Sequence, residues 1–168
     1  IRDGETAEIA IQASLTGHLV FSTIHTNDSA TTFTRLIDMG VEPFLIASSV
    51  IGCIAQRLVR QLCPDCKKPS NPTETRLAEL GITPEDVKGN TIYERVGCPE
   101  CTNTGYKGRK GIYELLMVDD EIRDLVTKQV DASVIKKKAV ENGLVTLRDE
   151  GALQVLKGNT SIEEVLRV

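Results

Sequence analysis

Residues 17–28 read GHLVFSTIHTND, and the run Leu19-Val20-Phe21-Ser22-Thr23-Ile24 inside them decides the class of fold. A short β-branched and aromatic run of this kind predicts a strand buried on both faces, as in a parallel sheet. Upstream, Ile9, Ala10 and Ala13 recur at helical spacing between Glu5 and Thr16. Asp3 is the expected N-cap of that helix and Gly17 its stop. Downstream, Asn27 or Asp28 is placed to cap a helix that carries Phe33, Leu36 and Ile37 and ends at Gly40. Helix, strand, helix in that order predicts an α/β domain and excludes a helical bundle. Pro43 opens the next helix. Its apolar face (Ala47, Val50, Ile51, Ile54 and Leu58) predicts that it continues to Leu58, with Gln56, Arg57 and Arg60 off that face.

Further along stand two Cys-x-x-Cys hooks, Cys63-Pro64-Asp65-Cys66 and Cys98-Pro99-Glu100-Cys101, with 31 residues between them. Each hook puts two thiols on one tight turn, and two hooks close a tetrahedron, so the expected ligand is a structural Zn2+. Such a site leaves no open position for water and does no chemistry. The alternatives are two disulfides, which suit small secreted chains, or a redox pair, which suits a βαβ setting. Cys53, inside an apolar stretch, is read as a buried core residue.

Between the hooks, Glu74–Leu80 reads as helix, and Thr83-Pro84-Glu85-Asp86 reads as an N-cap, a first-turn proline and an acid three residues on. Residues 104–111 (TGYKGRKG) read as turns, and 112–118 (IYELLMV) as a second strand. Helices are expected over 121–128, 133–142, 147–157 and 161–167, with Thr146/Asp149 and Ser161/Glu164 as capping-box pairs.

The chain has 168 residues, 40% hydrophobic and 26% charged, with a net charge of −4. That balance does not suit a nucleic-acid binder, and aromatics at 4% with no Trp provide no stacking platform. The longest apolar run, Leu45–Ala55, is interrupted by Ser48, Ser49 and Gly52 and is too short to cross a bilayer. No signal peptide is visible, so a cytosolic protein is expected. Ile1 in place of an initiator Met, followed at once by a helix pattern, predicts a chain cut from a larger domain.

His25 falls just beyond the carboxyl end of the predicted strand, where ligands gather in parallel sheets. It is a candidate phosphate contact, or else a residue that only bonds a neighbouring loop. His18 precedes the strand and is the weaker candidate. Arg2 and Asp3 read either as the tail of a nucleotide site or as a helix cap and its neighbour. No G-x-x-x-x-G-K-[ST] loop occurs in the chain. Lys67, Lys68, Lys107, Arg109 and Lys110 lie close to the hooks in sequence. They read as a solvated rim or as a contact for anionic lipid or an acidic partner loop.

Residues 1–30 (IRDGETAEIAIQASLTGHLVFSTIHTNDSA) resemble the segment after the Walker B acid in the ATPases of type II secretion and type IV pilus assembly. The stretches 34–50, 55–69, 98–125 and 143–166 resemble the rest of that family's carboxy-terminal half, in the same order. The resemblance is nearest the type II secretion branch, and the pilus assembly branch shares the zinc hooks. It implies the carboxy-terminal part of a RecA-type (P-loop NTPase) domain with an inserted tetracysteine module and a helical subdomain. The implied division is 1–62 for the ATPase core, 63–110 for the zinc module and 111–168 for the last strand and helices.

The resemblance further implies a homo-hexameric ATPase using ATP and Mg2+, cytoplasmic and peripheral at the inner membrane of a bacterium. Its implied partners are inner-membrane platform proteins, with no nucleic acid. His18 and His25 would then form a histidine box with His25 nearer the γ-phosphate, Arg2 and Asp3 would follow Walker B, and Cys63, Cys66, Cys98 and Cys101 would hold Zn2+. The phosphate loop, the acidic box and the Walker B glutamate are missing, so this chain alone is expected to be inactive. The rival expectation is a zinc-stabilised docking module without enzymatic activity.

Overall fold

A computed structural model describes all 168 residues. The helices are α1 (Gly4–Leu15), α2 (Thr31–Asp38), α3 (Pro43–Ser49), α4 (Glu74–Ala78), α5 (Pro84–Val87), α6 (Asp120–Thr127), α7 (Ala132–Glu141), α8 (Leu147–Leu156) and α9 (Ile162–Arg167). The strands are β1 (Gly52–Leu62), β2 (Lys68–Pro69), β3 (Tyr93–Glu94) and β4 (Tyr106–Met117). β1 pairs with β4, and β2 pairs antiparallel with β3. The chain divides into two compact units: residues 1–55 with 114–145, and residues 56–113 with 146–168.

The first unit is built from α1, α2, α3, α6 and α7 around Phe33, Ile46, Leu116, Ile122, Val126 and Ile135. Asp3 caps α1 by accepting from the Thr6 N–H at 2.8 Å, and Gly17 ends the helix at φ +93°. Asp28, rather than Asn27, serves α2: its Oδ1 accepts from the Thr31 N–H at 2.8 Å. Asp119 caps α6 through the Ile122 N–H at 2.8 Å. These caps satisfy helix-end donors that would otherwise have no partner.

The second unit packs Val59, Leu80, Ile82, Ile92, Ile112, Val155 and Ile162 together. Thr83/Asp86 and Thr146/Asp149 form complete capping boxes. Ser161/Glu164 forms only half of one. Ser161 accepts from the Glu164 N–H, but the Glu164 carboxylate turns to Arg60 and Arg167 instead. It takes the Arg60 N–H at 3.0 Å, Arg60 Nη2 at 2.6 Å and Arg167 Nη2 at 2.6 Å, joining α9 to β1.

Three sequence expectations need correction. Leu19–Ile24 forms no strand and pairs with none, and Leu19 and Phe21 are 70% and 88% exposed. A strand buried on both faces needs neighbours on both edges, and the described residues include none for it. The helix from Pro43 stops at Ser49, and Gly52–Leu62 is a strand. Val50, Ile51, Ile54 and Val59 are β-branched, and the real period is two: Cys53, Ala55 and Val59 are buried while Ile54, Gln56 and Leu58 face out. Finally, β4 begins at Tyr106, so most of the supposed turn sequence is strand, with Gly108 at φ +84° inside it.

Candidate metal centre

β1 and β4 carry the two hooks toward each other. Cys63 follows the last residue of β1, and its N–H donates to the Gly105 carbonyl, next to the start of β4, at 2.9 Å. On the far side of the hooks, β2 and β3 pair Lys68 with Glu94 and Pro69 with Tyr93. The second hook is a single 3-10 turn over Pro99–Cys101, closed by Thr102 and Asn103 at φ 52° and 58°. All four sulfurs therefore come from two turns, one following β1 and one preceding β4.

The four Sγ atoms lie within 4.8 Å of one another. Cys98 and Cys101 are 3.7 Å apart, and the Cys63–Cys98 and Cys66–Cys101 pairs are each 3.9 Å apart. A tetrahedron with Zn–S bonds of about 2.3 Å has edges of about 3.8 Å, so the sulfurs fit a four-thiolate site. All the cysteines are free, which removes the disulfide alternative. Backbone N–H groups aim at the sulfurs: Gly97 donates to Cys66 at 3.3 Å, and Cys98 and Gly105 each donate to Cys101 at 3.2 Å. Burial pushes the Cys101 thiol up, yet the Cys98 and Gly105 N–H groups outweigh it and bring the group down to about 6. Burial pushes the Cys63 thiol up to about 12. The cluster can therefore hold a metal ion, and its soft donors suit zinc.

Gly97 and Gly105 are functional residues that the sequence reading missed. Gly97 sits at φ +125°, and a Cβ there would lie 2.8 Å from the Asn103 carbonyl oxygen. Gly105 sits at φ +76°, with a Cβ position 2.7 Å from the Arg95 Cβ. Ala at either position must move the N–H that holds a sulfur. Outer-shell changes of this kind cost roughly 10–100-fold in metal affinity. Gly105→Ala is expected to weaken zinc binding by that factor in competition with a chromophoric chelator; unchanged affinity would remove the N–H···S contacts from the account of the site.

The basic residues near the hooks are partly committed. Lys67 donates to the Gly158 carbonyl at 2.8 Å and sits 4.3 Å from the Tyr93 ring centroid. Lys107 lies 3.9 Å from Asp65, while Lys68 and Arg109 are exposed. In the first unit His25 is exposed, three residues before the Asp28 cap. His18 is exposed too, with Nδ1 3.1 Å from Thr16 Oγ1, and lines an apolar groove of about 530 Å³ with Ile11, Val20, Ile24 and Cys53. Arg2 is exposed, and Asp3 is occupied as a helix cap. Cys53 is buried as expected, though in a strand, and burial pushes its thiol up to about 11.

The mixed α/β fold is shared with the Legionella pneumophila ATPase DotB, at a TM-score of 0.64 and 21% identity, over 99% of this chain and 36% of that one. Residues 1–167 match the family described as Type II/IV secretion system protein, and the chain belongs to that family. It is 51% identical over 168 residues to the Type II secretion system protein E of Pseudomonas aeruginosa, covering 33% of that protein. It is 49% identical over 166 residues to the Type IV pilus assembly ATPase PilB of Thermus thermophilus, covering 19% of it. The chain thus spans a third or less of the length of these two relatives. No helix is long and apolar enough to cross a membrane.

Proposed function

We propose that this chain is the carboxy-terminal part of a hexameric, RecA-type ATPase that powers type II protein secretion. The observation that carries this reading is the 51% identity to a Type II secretion system protein E along the whole chain. The comparable identity to a pilus assembly ATPase supports type IV pilus assembly as the second reading. In either case ATP hydrolysis would occur at the cytoplasmic face of a bacterial inner membrane and drive a platform of membrane proteins. The proposed division is 1–62 for part of the ATPase core, 63–110 for the zinc module and 111–168 for the last strand and helices.

Each proposed site residue has a defined task. His25 would face the γ-phosphate, and His18 would shape the loop entrance. Arg2 and Asp3 would follow the Walker B acid, with Asp3 starting α1. Cys63, Cys66, Cys98 and Cys101 would hold Zn2+, which supplies a structural cross-link and no reactive position. Phosphoryl transfer requires positioned phosphates and Mg2+, and this chain has no phosphate loop to hold them.

The test compares magnesium-dependent ATP turnover by the 168-residue chain and by the full-length protein that carries it. Turnover is expected only in the full-length protein, where His25→Ala should lower kcat by roughly 100-fold, the scale of a lost transition-state contact. Turnover by the short chain would overturn its predicted inactivity. Silence in both, at concentrations that favour hexamers, would instead favour a zinc-stabilised docking module.

A further inference from the structure

A carboxylate with no exposure sits in the middle of β4. Glu114 is 0% exposed, flanked along its face of the strand by buried Ile112 and Leu116. A buried carboxylate is costly unless it is paired and hydrogen-bonded, and an apolar side chain would fill such a position more cheaply. Its Oε1 accepts from the Ser29 N–H at 3.0 Å and from the Ser29 hydroxyl. Lys136, on α7, lies 3.8 Å from Glu114 Oε2 and donates to Asp28 Oδ2 at 3.1 Å. The other Asp28 oxygen holds the start of α2 through the Thr31 N–H and hydroxyl.

We infer that Glu114 and Lys136 are positioning residues that fix the His25–Asp28 loop from β4 and α7. Ser29 and Asp28 follow His25 by four and three residues, and each is tied to an element at least 85 residues away in sequence. The Ser29 tie reaches the backbone itself, so the loop cannot shift without breaking a buried, charge-assisted bond. A histidine that must meet a phosphate within a few tenths of an ångström gains from such an anchor. The inference rests on the reading of His25 as the nucleotide-facing residue, but the ties to the loop stand independently of it.

The test uses the full-length protein with Lys136→Met, Glu114→Gln, the double variant, and Lys136→Arg. The double variant removes both charges together, so it leaves neither one stranded. Amide exchange over residues 25–32 is expected to speed up by about 10-fold or more in the double variant, with α1 and α6 unchanged. kcat for ATP should fall by about 10-fold or more while KM changes by less than about 2-fold, and Lys136→Arg should retain most of the activity. Wild-type exchange over 25–32 in the double variant would overturn the inference, and so would accelerated exchange with an unchanged kcat. Equal acceleration throughout the first unit would reduce the pair to a general stabilising role and overturn it too. If the wild-type protein does not hydrolyse ATP, the ATPase reading fails, and the exchange experiment alone decides whether the pair holds the loop.

Discussion

Removing with a chelator the metal ion that the four cysteines can hold, or replacing Cys98 by Ser, is expected to loosen residues 63–105 while the first unit stays folded. A bound cation would hold the hooks together, because thiolates with three Sγ pairs at 3.7–3.9 Å repel one another once they ionise. Binding free energies of roughly 10 kcal/mol or more for structural zinc in small domains act as folding free energy. Removing a ligand should lower metal affinity by more than the roughly 100-fold upper range of outer-shell changes. The apolar contacts of the second unit limit the damage. Leu80, Ile82 and Ile92, from the segment between the hooks, pack with Val59, Val155 and Ile162.

Tyrosine makes this easy to measure. The chain has three Tyr and no Trp, and Tyr93, Tyr106 and Tyr113 all belong to the second unit. Chelation should change tyrosine fluorescence and speed amide exchange over 63–105. Exchange around Phe33, Ile46 and Ile122, in the core of the first unit, should not change. Loss of all cooperative structure on chelation would mean that the metal organises far more than its own hooks.

Glu164→Gln is the second large effect, expected to cost about 2 kcal/mol at pH 7 after allowance for solvent at the guanidiniums. The Glu164 side chain is 0% exposed, while those of Arg60 and Arg167 are 44% and 56% exposed. Burial pushes its carboxyl up, but the Arg167 and Arg60 side chains and the Arg60 N–H outweigh burial and draw it from 4.5 to about 2. Because the folded state binds this proton more weakly than the unfolded state, the stabilisation is complete above pH 4.5. It is lost as the pH falls from there through about 2. Denaturant titrations followed by tyrosine fluorescence should therefore show a stability decline over that window that is smaller in Glu164→Gln. Matching acid profiles for the two proteins would remove this carboxylate from the account of acid sensitivity.

Local chemistry made part of this structure legible. Asp3, Thr83, Thr146 and Ser161 all cap helices, since a cap is written within three or four residues and needs nothing distant. The hooks were equally plain, because two thiols on one turn are set by spacing alone. The run from Val50 to Leu58 was misread because its apolar residues fit a period of 3.6 nearly as well as one of two. Pairing with β4 made it a strand, and no local pattern contains that partner.

The sequence by itself determined the family, most of the helix caps and the four cysteines that can hold a metal ion, all of which rest on residue type and short spacing. Tertiary structure alone decided that Gly52–Leu62 pairs as a strand with β4, that Gly97 and Gly105 aim N–H groups at sulfur, and that Glu114 and Lys136 reach Ser29 and Asp28 after His25. Those outcomes depend on which distant backbone or charge comes within about 3 Å, a distance that hydrogen bonding requires and linear spacing does not encode.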